Sequence, residues 1–293
     1  MDDQSPRRTS VKAQLTLSIG AHRDRAVEAS RRWIRDAFER LTGPLGDQVR
    51  AATSEEIDWF NFQPFRLRAG VGTSGGRHGE WMSTYSPSSW ELLMDRLAEL
   101  PETGSVEAVT NSERGGPGDP SFTVAIRQDD DDWLILEADV DVELAARPEG
   151  QAVILNVLRV AAEGCNPTSG LLYTPESSLQ TPLEVALDVW PFETIPRSRQ
   201  VLRDYGWLTI MAQELGDRLG GLPALRASGA FHEAAQLNAG GYWLLATERW
   251  EDYGLDQAEK LFELFAPILP PGRPAPPKNS ANVLVERDPS ADG

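Results

Sequence analysis

Two stretches of this chain carry side chains at spacings that chemistry uses. The first is acidic. Asp129, Asp130, Asp131 and Asp132 run into "ILEADVDVEL", residues 135–144, where Glu137, Asp139, Asp141 and Glu143 share one parity. Leu136, Ala138, Val140, Val142 and Leu144 share the other. On a strand, carboxylates at i and i+2 lie about 6–7 Å apart. That separation suits a two-carboxylate glycosidase, but the reaction also needs a sugar cleft, and no residues in the sequence supply one. Calcium requires oxygen ligands wrapped around a turning loop. "DDDDW" has no glycine to turn it and no closing Glu at the usual offset. Two readings are left. The row is the solvated face of a half-buried strand, or it imitates a phosphate backbone and engages basic side chains. Stacked like charges cost stability, so the row calls for counter-charge. That charge comes from a partner or from Arg25, Arg31, Arg32, Arg35 and Arg40 of a nearby helix.

The second stretch is "GVGTSGG", residues 70–76. Gly70-x-Gly72-x-x-Gly75 fits a dinucleotide fingerprint, and Gly72-x-Ser74-x-Gly76 fits a nucleophile elbow. Both motifs need a helix directly after the glycines. "RHGEWMSTYSPSS" follows instead, without helical period, so the stretch reads as a flexible loop. A serine hydrolase built on Ser74 with His232 remains the enzymatic alternative. His232 lies in an alternating segment without an evident partner and reads as structural. His78 falls in the glycine loop and reads as solvated, and Cys165 follows a helix-ending glycine.

The bulk properties narrow the classes. The chain has 293 residues, 40% hydrophobic and 25% charged, which is globular composition. A net charge of −17 opposes binding to nucleic acid or an anionic membrane. It favours encounter with a basic partner. The single cysteine excludes an internal disulfide, and three dispersed histidines make no zinc set, so no metal or cofactor is expected. No apolar run reaches the roughly 20 residues that span a bilayer. Arg7-Arg8 faintly suggests an export signal, but alternation from Val11 to Ile19 fits a strand better, and a cytoplasmic location is expected.

The elements that must carry these residues form an α+β pattern. A polar tail (1–10) precedes a strand at 11–19 and a helix at 24–42 with Val27, Ile34, Phe38 and Leu41 inward, ended by Gly43-Pro44. One or two strands are expected within 57–72. A helix follows at 88–100, opened by a Ser88/Glu91 capping box, with Trp90, Leu93, Met94, Leu97 and Leu100 as its buried stripe. A Gly/Pro loop at 113–120 leads to strands at 121–127 and 133–144, then a helix at 149–163 and a strand at 169–174. Strand 205–210, a short helix at 211–219 and another opened by Pro223 come next. A hairpin surrounds Asn238 to Gly241. The last helix, 255–266, has an Asp256/Glu259 capping pair and buries Leu255, Ala258, Leu261, Phe262 and Phe265. Residues 11–270 read as one domain, with subdivision near 113–132 as the alternative, and 271–293 as a Pro-rich disordered tail.

The most distinctive run is "DYGWLTIMAQELGDRLGGLPALRASGAF", residues 204–231. Trp207-Leu208-Thr209 ends a strand, a short helix closes on Leu219-Gly220-Gly221, and Leu222 and Leu225 follow. This resembles the bacterial type VI immunity family. Upstream, the helix at 149–163 leading through "GCNPTSGLLY" resembles the same family, and downstream so do "GGYWLLATE" and "DYGLDQAEKLFELFAPILPP". The likeness spans residues 133–272. It implies a cytoplasmic antidote without catalysis that binds a secreted toxin, a nuclease in some members. The matched positions read as structural: Gly220-Gly221 as a helix end and Trp207 as a core aromatic. The first expectation is therefore an immunity-like protein meeting a toxin through Asp129 to Asp132 with Glu137, Asp139, Asp141 and Glu143. A Ser74 hydrolase and an adaptor unrelated to toxins are the alternatives.

Overall fold

The structure, a computed structural model, describes residues 10–20, 23–53, 55–60, 67–110, 121–130, 132–175 and 180–272. In chain order the elements are β1 (Ser10–Ser18), α1 (Arg23–Arg40), α2 (Gly43–Ala51), β2 (Leu67–Ser74), β3 (Trp81–Thr84) and α3 (Pro87–Arg96). Next come β4 (Thr103–Thr110), β5 (Ser121–Asp129), β6 (Trp133–Asp141), α4 (Val142–Ala145), α5 (Pro148–Glu163) and β7 (Ser169–Tyr173). The chain continues through α6 (Pro182–Leu187), α7 (Pro191–Thr194), β8 (Leu208–Met211), α8 (Gln213–Arg218) and α9 (Gly221–Ala227). It closes with β9 (Glu233–Gln236), β10 (Tyr242–Leu245) and α10 (Leu255–Phe265). Helices combined with antiparallel strands make this an α+β fold. No helix among the described residues is long and apolar enough to cross a membrane.

Two compact units divide the chain. The first holds Ile19–Val157, the second Lys12–Ser18 and the chain from Leu158 on, so the change of unit falls inside α5. The Gly/Pro loop at 113–120 lies outside the described residues.

In the first unit the strands run in the order β3-β2-β4-β5-β6. Their even-numbered positions from β4 to β6, and the odd-numbered ones of β2, form an apolar face. Val71, Val106, Phe122, Val124, Ile126, Leu134, Leu136, Ala138 and Val140 are all buried there. Helix α1 packs on that face through Trp33, Ile34, Ala37 and Phe38. The Phe38 ring lies 5.8 Å from Phe122 and 5.0 Å from Trp90 of α3.

Sequence and structure differ here in three places. Gly43-Pro44 ends α1 as expected but also opens α2, whose Leu45 and Val49 are buried. Proline fits a helix's first turn as readily as it ends the previous one. Helix α3 is capped by Ser86 and Ser89 rather than Ser88 and Glu91. Pro87 occupies its first turn, which fixes the cap one residue before it. The glycine stretch is not a loop. Residues 70–74 lie inside β2, paired to β4 throughout and to β3 as far as Thr73, and the turn begins only at Gly75. Gly70 is needed because the Trp59 ring lies against the strand: a Cβ there would come within 2.6 Å of it.

The second unit orders its strands β1-β7-β8-β10-β9. β9 and β10 form the expected hairpin, with Tyr242 opposite Gln236. The core gathers Leu202, Tyr205, Met211, Leu215, Leu225, Leu244, Leu261, Phe262 and Phe265. Helix α10 contributes Ala258, Leu261, Phe262 and Phe265. Leu255 shares the stripe's spacing, at i, i+3 and i+7 with Ala258 and Phe262, but as the first residue of the helix it stays 56% exposed. The cap is Gly254, and no side chain bonds there; Asp256 sits in the first turn, where a carboxylate complements the helix dipole.

Candidate functional site

The carboxylate row divides at Asp141. Strand β6 ends there rather than at residue 144, because the Asp141 carboxylate accepts the Glu143 N–H at 2.7 Å and caps α4. A short polar side chain able to cap a helix competes with strand continuation at this point. Glu143 is therefore an exposed helical residue and does not lie on the strand face, and Val142 beside it is exposed too.

Glu137, Asp139 and Asp141 do alternate outward along β6, half-buried, opposite the apolar face. Cross-strand register extends this outer face. Glu137 pairs with Ala125, and Glu107 of β4 pairs with Thr123, so Glu107 shares it. Asp129 opposes Trp133 at the end of the β5–β6 hairpin. Its carboxylate lies 3.7 Å from Arg127. Asp130 turns the hairpin with a left-handed φ of 52°, which Asp tolerates better than most residues. Asp132 is exposed, and its backbone oxygen accepts the Ile19 N–H at 2.7 Å. Asp131 lies outside the described residues.

On β2–β6 this outer face carries five carboxylates (Glu107, Asp129, Glu137, Asp139 and Asp141) and two guanidinium groups, those of Arg68 and Arg127. Arg68 donates to the Trp59 backbone oxygen at 2.9 Å and lies over the Trp59 ring. The arginines of α1 do not face the row. α1 packs on the opposite face, with Arg31 3.8 Å from Asp95, Arg32 3.1 Å from Glu28, and Arg40 2.9 Å from Asn156. The counter-charge weighed for this helix thus lies across the sheet from the carboxylates. Glu107 was not singled out in the sequence. Its strand carries no acidic run, and only register reveals its neighbours.

The other candidates resolve differently. The Ser74 hydroxyl shares a 2.7 Å hydrogen bond with the Thr103 hydroxyl. His78 Nε2 lies 3.1 Å from the Glu99 carboxylate. His232 belongs to the second unit, where its backbone N–H bonds the Ala246 oxygen at 3.2 Å. Cys165 is half-buried, and desolvation pushes its thiol up to about 12, which leaves it a poor nucleophile. Among the described residues no group of three or more His, Cys, Asp or Glu is placed to hold a metal ion. A cavity of about 570 Å³ at one end of the first unit is lined by Arg23, Arg77, Glu99, Glu102 and Gln128, two cations against two anions.

The residues from 204 to 231 are held as framework. Trp207 is buried and donates to the Thr247 oxygen at 2.9 Å, and Leu208 and Thr209 lie inside β8. Leu219 ends α8, and Gly220 and Gly221, with φ of 91° and 71°, turn the chain into α9. Only glycine takes two successive left-handed positions at no steric cost.

One cluster had no signal in the sequence. Glu184 and Arg203 form an ion pair at 2.8 Å, with side-chain exposures of only 1% and 2%. Arg203 also donates to Thr16 at 3.0 Å, and the Thr194 hydroxyl donates to Glu184. The other Glu184 oxygen accepts the Thr181 N–H at 2.8 Å, capping α6. Next to it, the Asp204 carboxylate accepts N–H groups of Leu183 at 2.9 Å and Tyr205 at 2.7 Å. Full burial pushes Asp204 up to about 7, with the Glu184 charge adding and the hydrogen bonds opposing. The cluster is closed to solvent and positions chain rather than substrate.

No family model matches the chain, and no curated protein matches it. Among solved structures it is similar to the Pseudomonas aeruginosa T6SS protein PA0821, with a TM-score of 0.55 and 15% identity over 96% of this chain and 80% of that one. At that identity the likeness is one of fold.

Proposed function

We propose that this chain is an immunity-like protein without catalysis of its own, which in the cytoplasm binds and blocks a cognate T6SS effector. The carrying observation is the excess of carboxylates on the outer sheet face of the first unit, with the arginines of α1 on the opposite side. Such a face attracts a basic surface, and nucleases are basic where they meet phosphate. The T6SS protein of similar fold supports the secretion context, as does the immunity-family resemblance of residues 204–231. The hairpin acids Asp129, Asp130 and Asp132 border the face and belong to the contact. Glu143, on α4, lies beyond it.

The test is co-expression with the cognate effector. Glu137→Gln, Asp139→Asn and Asp141→Asn combined remove charge while keeping shape, and the new Asn at 141 can still cap α4. Binding is expected to weaken by about tenfold or more and to lose much of its salt dependence. Full protection with an unchanged salt slope would refute the acidic-face reading. A protein that protects against no effector at all is an adaptor of another kind.

A further inference from the structure

Segment 180–198 of the second unit presents two large aromatic side chains to solvent. Trp190 is 48% exposed and Phe192 is 65% exposed. Water contact on such side chains forgoes burial that folding normally captures. The backbone beneath them is nevertheless pinned from several directions. Pro191 between them is buried, and the Trp190 N–H bonds the Glu193 carboxylate at 2.8 Å. Gln180 donates to the Val189 oxygen at 2.9 Å. Thr194, two residues past Phe192, bonds the buried Glu184 of the ion pair with Arg203. A desolvated ion pair is a costly device for fixing a surface segment. Aromatics carried on a backbone already fixed spare that part of the ordering cost on contact, as binding hot spots do.

We infer that Trp190 and Phe192 anchor a second protein through an apolar patch bordered by Lys and Arg. Charge selects this occupant. Within segment 180–198 the exposed charged residues are Asp188, Glu193 and Arg197, two carboxylates to one guanidinium, and the chain's −17 repels a second copy of itself. The inference does not depend on the carboxylate face of the first unit, and because a cationic peptide is also drawn to that face, the titrations are repeated in the Glu137→Gln, Asp139→Asn, Asp141→Asn background, where that competing attraction is reduced.

The probe is a short synthetic Leu/Lys peptide patterned as an amphipathic helix, with a Leu/Glu peptide as control, each followed by fluorescence anisotropy against the full chain. Trp190→Ala with Phe192→Ala is expected to weaken the Leu/Lys peptide at least tenfold, and the Leu/Glu peptide is expected not to bind. Both positions are exposed, so the double variant keeps the wild-type unfolding temperature, which guards against a folding artefact. Equal affinity for wild type and variant would overturn the inference. So would sedimentation showing a wild-type dimer that the variant loses, which assigns the patch to a second copy. Tighter peptide binding on deletion of 273–293 overturns it too, assigning the patch to the chain's own last residues.

Discussion

Glu184→Ala is expected to lower the free energy of unfolding by roughly 3–5 kcal/mol, the cost of leaving a buried charge unpaired. Glu184 joins three structures at once: it pairs with Arg203, accepts the Thr194 hydroxyl and closes the capping box of α6 with Thr181. Its loss leaves the Arg203 guanidinium 2% exposed with hydroxyl partners, Thr16 at 3.0 Å, Thr194 at 3.3 Å and Ser169 at 3.5 Å, and no counter-charge among them. Urea denaturation reads the loss as a lower midpoint at unchanged slope. Glu184→Gln is the milder comparison: its amide oxygen can still accept from Thr194 or Arg203, so it costs less than the alanine. Glu184→Met combined with Arg203→Met removes both charges and fills their volume. That pair is expected to cost less than Glu184→Ala alone, because the penalty comes from the orphaned partner rather than the absent bridge. A double variant as unstable as the sum of its single variants would show the two residues to be uncoupled.

Local pattern explains why most elements could be read from the sequence. The alternation in β1, β5 and β6 has period two, the α10 stripe follows helical spacing, and Asn238 to Gly241 mark the hairpin. Failures came where one residue has two uses. Pro44 and Pro87 open helices, yet read as a stop and as an interior position of the preceding loop. Asp141 continues the acidic parity of a strand and also caps a helix, and the cap prevails, so Glu143 leaves the row. The glycines at 70–72 read as loop because their cause, the Trp59 ring and the neighbouring β3 backbone, lies outside the local sequence. The candidate site was half legible for the same reason. Parity shows Glu137, Asp139 and Asp141 sharing a face, but only the pairing of β4 with β5 adds Glu107. Glu184 and Arg203, 19 residues apart, have no periodicity linking them.

Asp204 makes the second unit sensitive to pH, in a direction opposite to the usual carboxylate. Its ordinary value of 3.8 applies in the unfolded chain, and burial raises it to about 7 in the fold. Below about pH 4 both states hold the proton, and the contribution to stability is complete. Between 4 and 7 the unfolded chain releases the proton while the folded one keeps it, so stability falls as pH rises; above 7 the loss is complete. A shift of this size corresponds to on the order of 4 kcal/mol. The groups that act on Asp204 include the Glu184 charge, which disfavours ionisation, and the Leu183 and Tyr205 N–H groups with the Thr181 hydroxyl, which favour it. Asp204→Asn removes the titration but turns a donor toward one of two backbone N–H groups, at about 1–3 kcal/mol. The variant is therefore expected to melt below wild type at pH 5 and to close or reverse that gap by pH 8. Melting curves across this range read the effect, and a constant gap would show that Asp204 ionises alike in both states.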